Sequence, residues 1–234
     1  MTESFRDRLA AIENRIAAAC RHAGRERESV RLMAVSKTHP AEAICEAIEA
    51  GLTLFGENRV QEFETKRAAL PENIEVHLIG HLQSNKAARA AAIFSAIDSV
   101  DSLRLLERLN EAAEKSGRKL PVLLEVKLSN EEAKTGFEPD SPELNQALER
   151  GADLRHVQIN GLMTIPAFDD NPETARNCFR RLRELNDDLA RRYPRTDLRE
   201  LSMGMSGDFE IAIEEGSTLV RIGTALFGAR EKRP

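Results

Sequence analysis

Eight times along this chain a short apolar run gives way to a helical stretch, and no other feature restricts the fold as much. The runs lie at residues 32–35, 52–55, 75–79, 95–99, 122–127, 157–164, 198–203 and 218–222. The helical stretches after them cover 41–50, 58–69, 84–92, 102–116, 142–150, 172–193, 207–215 and a short segment from Thr224. In the longest, Ala175, Cys178, Leu182, Leu185 and Leu189 recur at three- and four-residue spacing, the signature of one buried helix face. Gly51, Gly117, Gly151 and Gly216 each follow a polar helix end and precede an apolar run, the place where a left-handed residue terminates a helix at little cost. Pro40 and Pro142 suit first helical turns, and Ser141 and Asp101 are expected N-caps.

Most runs are apolar at successive positions, which suits parallel strands covered by helices on their faces. Eight βα units in 234 residues predict an α/β fold, a single (β/α)8 TIM-type barrel forming one domain over residues 1–234. An extra N-terminal helix over residues 3–20 precedes it, carrying Phe5, Leu9, Ile12, Ile16 and Cys20 on one face. The alternative is an open doubly wound sheet, which usually has fewer strands and a glycine-rich first turn. Here the first run ends in Val35-Ser36-Lys37-Thr38-His39-Pro40, without glycine.

Composition removes several functions. A net charge of −5 argues against general nucleic-acid binding, which needs a basic surplus. No apolar run approaches the ~20 residues that span a bilayer, and the N-terminus has no apolar signal core. Cys20, Cys45 and Cys178 are odd in number, far apart and without a CxxC, so reduced thiols in a cytoplasmic protein are expected, with neither disulfide nor metal.

In a barrel, chemistry gathers at the carboxyl ends of the strands. Strand one ends at Lys37. A lysine in a partly dry pocket loses its proton more readily and becomes a nucleophile for aldehydes, although by itself Lys37 reads first as a surface lysine. The loops after strands seven and eight often bind phosphate, with the amides of a short helix start. Ser206 precedes the stretch 207–215, and Gly223-Thr224 open the last helix. Each alone reads as a cap or a turn. Together with Lys37, on the strand that would neighbour strand eight in a closed barrel, they describe a pocket for a phosphorylated aldehyde.

The segments VSKTHP, FGENRVQE, HLIGHLQSNK, GLMTIP, LSMGMSGDFEIAI and VRIGTALFG together resemble the pyridoxal phosphate homeostasis protein family, in that family's order, over residues 31–230. The last segment is also similar to part of the alanine racemase barrel domain. The resemblance implies a fold-type III pyridoxal phosphate barrel. It implies that Lys37 forms an internal aldimine with pyridoxal 5′-phosphate, that Ser206, Gly223 and Thr224 hold the phosphate, that Arg221 faces the pyridine nitrogen, and that Asn58 lies near the ring. His81 falls in a family motif, and a hydrogen-bonded rim histidine is the favoured reading for it. An arginine at the ring nitrogen keeps it unprotonated and the ring a weak electron sink. Racemases of this kind add a tyrosine base from a partner subunit, in a two-domain architecture. The one tyrosine here, Tyr193, ends helix 172–193 at the wrong end of its unit, and the chain stops at Pro234, without room for a second all-β domain.

The expectation is therefore a monomeric carrier of pyridoxal phosphate that keeps the cofactor's concentration low and hands it to apo-enzymes by transient contact, with no catalysis of its own. Rivals are a small amino-acid racemase and a sugar-phosphate enzyme with Lys37 as an aldolase-type lysine. Lys134, in a rim loop, is a further candidate to accept the aldehyde during transfer, set against an ordinary solvated lysine.

Overall fold

The computed structural model describes residues 3–129 and 135–228. Among them, eight parallel strands pair in chain order, and the last pairs with the first. They are β1 (Arg31–Val35), β2 (Leu54–Glu57), β3 (Glu75–Leu78), β4 (Ala96–Val100), β5 (Leu120–Glu125), β6 (Val157–Met163), β7 (Glu200–Ser202) and β8 (Leu219–Ile222). The ring is closed, so the expected barrel is found and the open sheet is not. The α-helices are α1 (Phe5–His22), α2 (Ala41–Glu49), α3 (Val60–Arg67), α4 (Ala87–Ile93), α5 (Leu103–Lys115), α6 (Pro142–Gly151), α7 (Pro172–Arg192), α8 (Phe209–Glu214) and α9 (Thr224–Phe227).

Side chains alternate across each strand, and this splits the core in two. The larger apolar cluster lies between strands and helices and takes Leu32, Ala34, Phe55, Val76, Leu78, Val220 and Ile222 from the strands. A small cluster of Met33, Val35, Leu54, Ile79 and Leu219 fills part of the barrel interior. The leading helix α1 covers the last two units. Phe5 meets Phe227 with ring centroids 5.4 Å apart, Arg8 Nε donates to Leu226 O at 2.6 Å, and Arg15 pairs with Glu210 at 2.6 Å.

Several boundaries differ from expectation. The second strand begins two residues late, at Leu54, because the Leu52 amide still donates to Ala47 O at the end of α2. It runs on through the buried Glu57, which hydropathy alone assigns to a loop. Ser102, not Asp101, caps α5, accepting from Leu105 N at 3.3 Å. Pro40 is the N-cap of α2 rather than its first residue. Gly51, Gly117 and Gly216 do end helices with positive φ. Gly151 does not: it is the last residue of α6, and a Cβ there would lie 2.2 Å from Ile159 Cδ1, so a side chain would make the Ile159 tip move.

Candidate functional site

The same alternation defines what faces the barrel mouth. On β1, Met33 and Val35 point inward, while the Ser36 hydroxyl donates outward to Glu57 Oε1 at 2.7 Å. Lys37 is next on the inward count and is half-buried. On β8, Leu219 is inward, and Arg221 follows two residues later. The Arg221 guanidinium reaches across β7 to the end of β6. Its Nη1 donates to Ser202 O and Ser202 Oγ, both at 2.7 Å, and Nη2 donates to Thr164 O at 2.8 Å. All three acceptors are neutral, and the side chain is buried. Burial lowers the arginine's pKa, against the pull of the Asp98, Glu125 and Asp208 carboxylates, yet an arginine keeps its charge. A fixed cation therefore lies beneath the mouth.

Beside it the last two loops meet. Ser206 is not a helix cap, since α8 starts only at Phe209 with Asp208 before it. Its Oγ instead accepts from Ala225 N at 3.3 Å, tying the β7 loop to the first turn of α9. The loop bends at Gly204, φ +96°, where a Cβ would strike the Ala212 Cβ at 2.5 Å. Asp208 Oδ1 accepts from Met205 N at 2.6 Å and fixes the remaining turn. Gly223 and Thr224 stand at the end of β8 and the start of α9. A Cβ at Gly223 would lie 3.4 Å from Val35 O, so a side chain there would occupy the ground between the ends of β8 and β1. His39, in the Lys37 turn, stacks on Phe227 of α9 at 4.9 Å between centroids, which brings the lysine turn against the same region.

Asn58 follows β2 and is half-buried. Its backbone is pressed against β3's exit: a Cβ on Gly80 would fall 2.4 Å from Asn58 O. His81 is a rim histidine, exposed, with Nδ1 2.8 Å from Asp101 Oδ2. Lys134 lies outside the described residues. Of the expected site residues, Lys37, Ser206, Arg221, Gly223 and Thr224 thus gather on adjacent strand ends around the β8–β1 seam, and Asn58 stands one strand further round.

Two charged groups were not anticipated. Behind the Lys37 turn, Lys66 of α3 bridges Glu57 and Glu62; the Glu62–Lys66 spacing of four residues was the available signal. At the opposite end of the barrel, Arg31, Glu75, His77 and Asp98 form a chain inside the strands. Histidine and aspartate inside otherwise apolar runs were the signal there.

The family described as alanine racemase, N-terminal domain, matches residues 8–231. A pyridoxal phosphate homeostasis protein from Aquifex aeolicus is 46% identical over 226 residues, covering 96% of this chain and 98% of that one. The chain belongs to the pyridoxal phosphate homeostasis protein family. The structure of a family member, PipY of Synechococcus elongatus with pyridoxal phosphate bound, superposes with a TM-score of 0.85 at 41% identity, covering 96% of this chain and all of that one. An alanine racemase from Clostridium difficile shares the fold at a TM-score of 0.72, with 17% identity; the match covers 99% of this chain and 58% of the racemase. The curated relatives carry the homeostasis name rather than that of a racemase.

Proposed function

We propose that this chain holds pyridoxal 5′-phosphate as a Schiff base on Lys37 and serves in the homeostasis and delivery of that cofactor. The observation that carries the reading is the juxtaposition at the β8–β1 seam. An inward-counted lysine on one strand neighbours a buried arginine and a glycine-opened helix start on the next. Bound there, the cofactor supplies an aldehyde carbon open to attack by an amine.

The residues present fit such a group. A Cβ at Gly223 would sit in ordinary contact with Val35, and without it that ground beside β1 stays open. The Ser206 hydroxyl and the Thr224 amide supply donors for an anion. Arg221 has donors only, so opposite a pyridine nitrogen it holds that nitrogen unprotonated. Asn58, just after β2, would border the ring. Tyr193 ends α7 and donates to Asn145 Oδ1 of α6 at 2.9 Å, a position among the helices that supplies no second base at the mouth. The reading includes a monomer in the cytoplasm, in keeping with the buried Cys20 and Cys178 thiols, that meets recipient apo-enzymes transiently.

The test is spectroscopic. Purified protein mixed with pyridoxal phosphate gains a visible imine band, and borohydride reduction fixes a pyridoxyl group to the peptide holding Lys37. Lys37→Ala abolishes both. D- or L-amino acids added to the loaded protein show no sustained α-proton exchange. A reduced adduct elsewhere, or robust turnover, overturns the reading.

A further inference from the structure

Behind the mouth, between β2 and α3, a buried cluster grips the residues on both sides of Lys37. Lys66 Nζ donates to Glu57 Oε1 at 2.9 Å, to Glu62 Oε1 at 2.7 Å, and to the carbonyl of Ser36 at 3.2 Å. Glu57 Oε1 also accepts the Ser36 hydroxyl, and Glu62 Oε1 accepts the Thr38 amide at 2.5 Å. The residue before Lys37 is thus held by its hydroxyl and its carbonyl, and the residue after it by its N–H. The Lys66 side chain is 9% exposed and that of Glu57 is fully buried.

Thr38 explains why such a grip is needed. Its φ is +69°, a left-handed conformation that a β-branched residue rarely adopts. Conformations of this kind persist only where the surroundings over-determine them. Glu62 takes the one backbone donor whose direction that φ sets. The cluster lies on the outward side of β1 and β2, whereas Lys37 is on the inward count. None of its three charged side chains therefore reaches the mouth.

We propose that Lys66, clamped by Glu57 and Glu62, is a positioning residue: it fixes the backbone on either side of Lys37 so that the amine is presented to an aldehyde in the barrel mouth. The proposal rests on the reading of Lys37 as the imine-forming residue. It assigns a separate job to a buried ion cluster that touches neither the phosphate donors nor Arg221. Burial pushes the Glu57 carboxyl above its ordinary value, against the Ser36 hydroxyl and Lys66. A variant lacking the Lys66 charge accordingly lets Glu57 take a proton, which favours retention of the fold.

The experiment separates anchoring from condensation. Wild type, Lys66→Met and Glu62→Gln are each given pyridoxal phosphate and, in parallel, pyridoxine phosphate, which has the same ring and phosphate but no carbonyl. The expected result is unchanged pyridoxine phosphate affinity in all three, with imine formation slowed roughly 10–100-fold in Lys66→Met and by a smaller factor in Glu62→Gln. Thermal melts report the fold, and Glu62→Gln, whose side chain is 23% exposed, serves if Lys66→Met unfolds. Equal loss of both ligands means a merely structural cluster and overturns the proposal, as does an unchanged imine rate. Peptide mapping of the reduced wild-type adduct keeps the two readings apart. An adduct on Lys37 with unchanged variants removes this proposal alone; an adduct elsewhere removes the Lys37 reading and this one with it.

Discussion

The two ends of the barrel interior are both polar, and they use that polarity oppositely. At the N-terminal end, the charges answer one another: Arg31 Nη2 is 2.6 Å from Glu75 Oε2, Glu75 Oε1 is 2.9 Å from His77 Nε2, and His77 Nδ1 is 3.0 Å from Asp98 Oδ1. Arg31 also reaches Glu200 at 3.4 Å. At the C-terminal end, Arg221 is bonded to neutral oxygens. An ion chain that runs from the half-exposed Arg31 and Glu75 to the buried His77–Asp98 pair is costly to break at that pair and has little reserve for a ligand. A buried cation seated on neutral acceptors keeps charge available for one. One end plugs the barrel, and the other is equipped to bind.

His77 gives the sharpest break of this contrast. Removing one partner of a buried ion pair strands the rest, so His77→Gln should lose roughly 3–5 kcal/mol of stability. Urea denaturation measures it, and pyridoxal phosphate affinity below the unfolding transition should be unchanged. A larger effect on affinity than on stability would erase the distinction between the ends.

Arg221→Met should add a loss of binding. The buried Ser202 and Thr164 oxygens lose this donor, which costs about 1–3 kcal/mol of stability, less than at His77. The lost charged hydrogen bonds to a ligand, about 1.5–3 kcal/mol, weaken pyridoxal phosphate binding roughly 10–100-fold in titration.

His77 also sets a pH dependence. Burial alone favours neutral His77, but the Asp98 and Glu75 carboxylates outweigh it and raise its pKa from 6.5 to about 10. A pKa raised on folding contributes stability that is fully present below the unfolded value and is lost as pH climbs through the folded one. Wild-type stability should therefore fall between pH 6.5 and about 10, by at most about 1.4 kcal/mol per pH unit from this group. The His77→Gln variant should lack that slope. Parallel pH profiles for the two proteins would remove His77 from the account.

The same contrast separates what was legible in the residues from what was not. The Lys37 turn and the Ser206 and Gly223-Thr224 loops are continuous segments, and their order along the chain announces their positions in a barrel. Ser206 was still misread as a helix opener, because its partner, Ala225 N, is 19 residues away. The extension of β2 through Glu57 was hidden for a related reason. A carboxylate inside an apolar layer is tolerable only beside a cation, and Lys66 comes from the following helix.

By itself, then, the order of residues determined the alternation of strand and helix, the parity that sorts inward from outward, and the chemical kinds at the strand ends. These are local consequences of periodicity and side-chain chemistry. Only the closed ring decided which charges meet. It brought β8 beside β1, set His77 between two acids, and slid Lys66 behind Ser36 and Thr38. Electrostatic energy in a dry interior depends on distances between residues far apart in the chain, and those distances exist only once the barrel has closed.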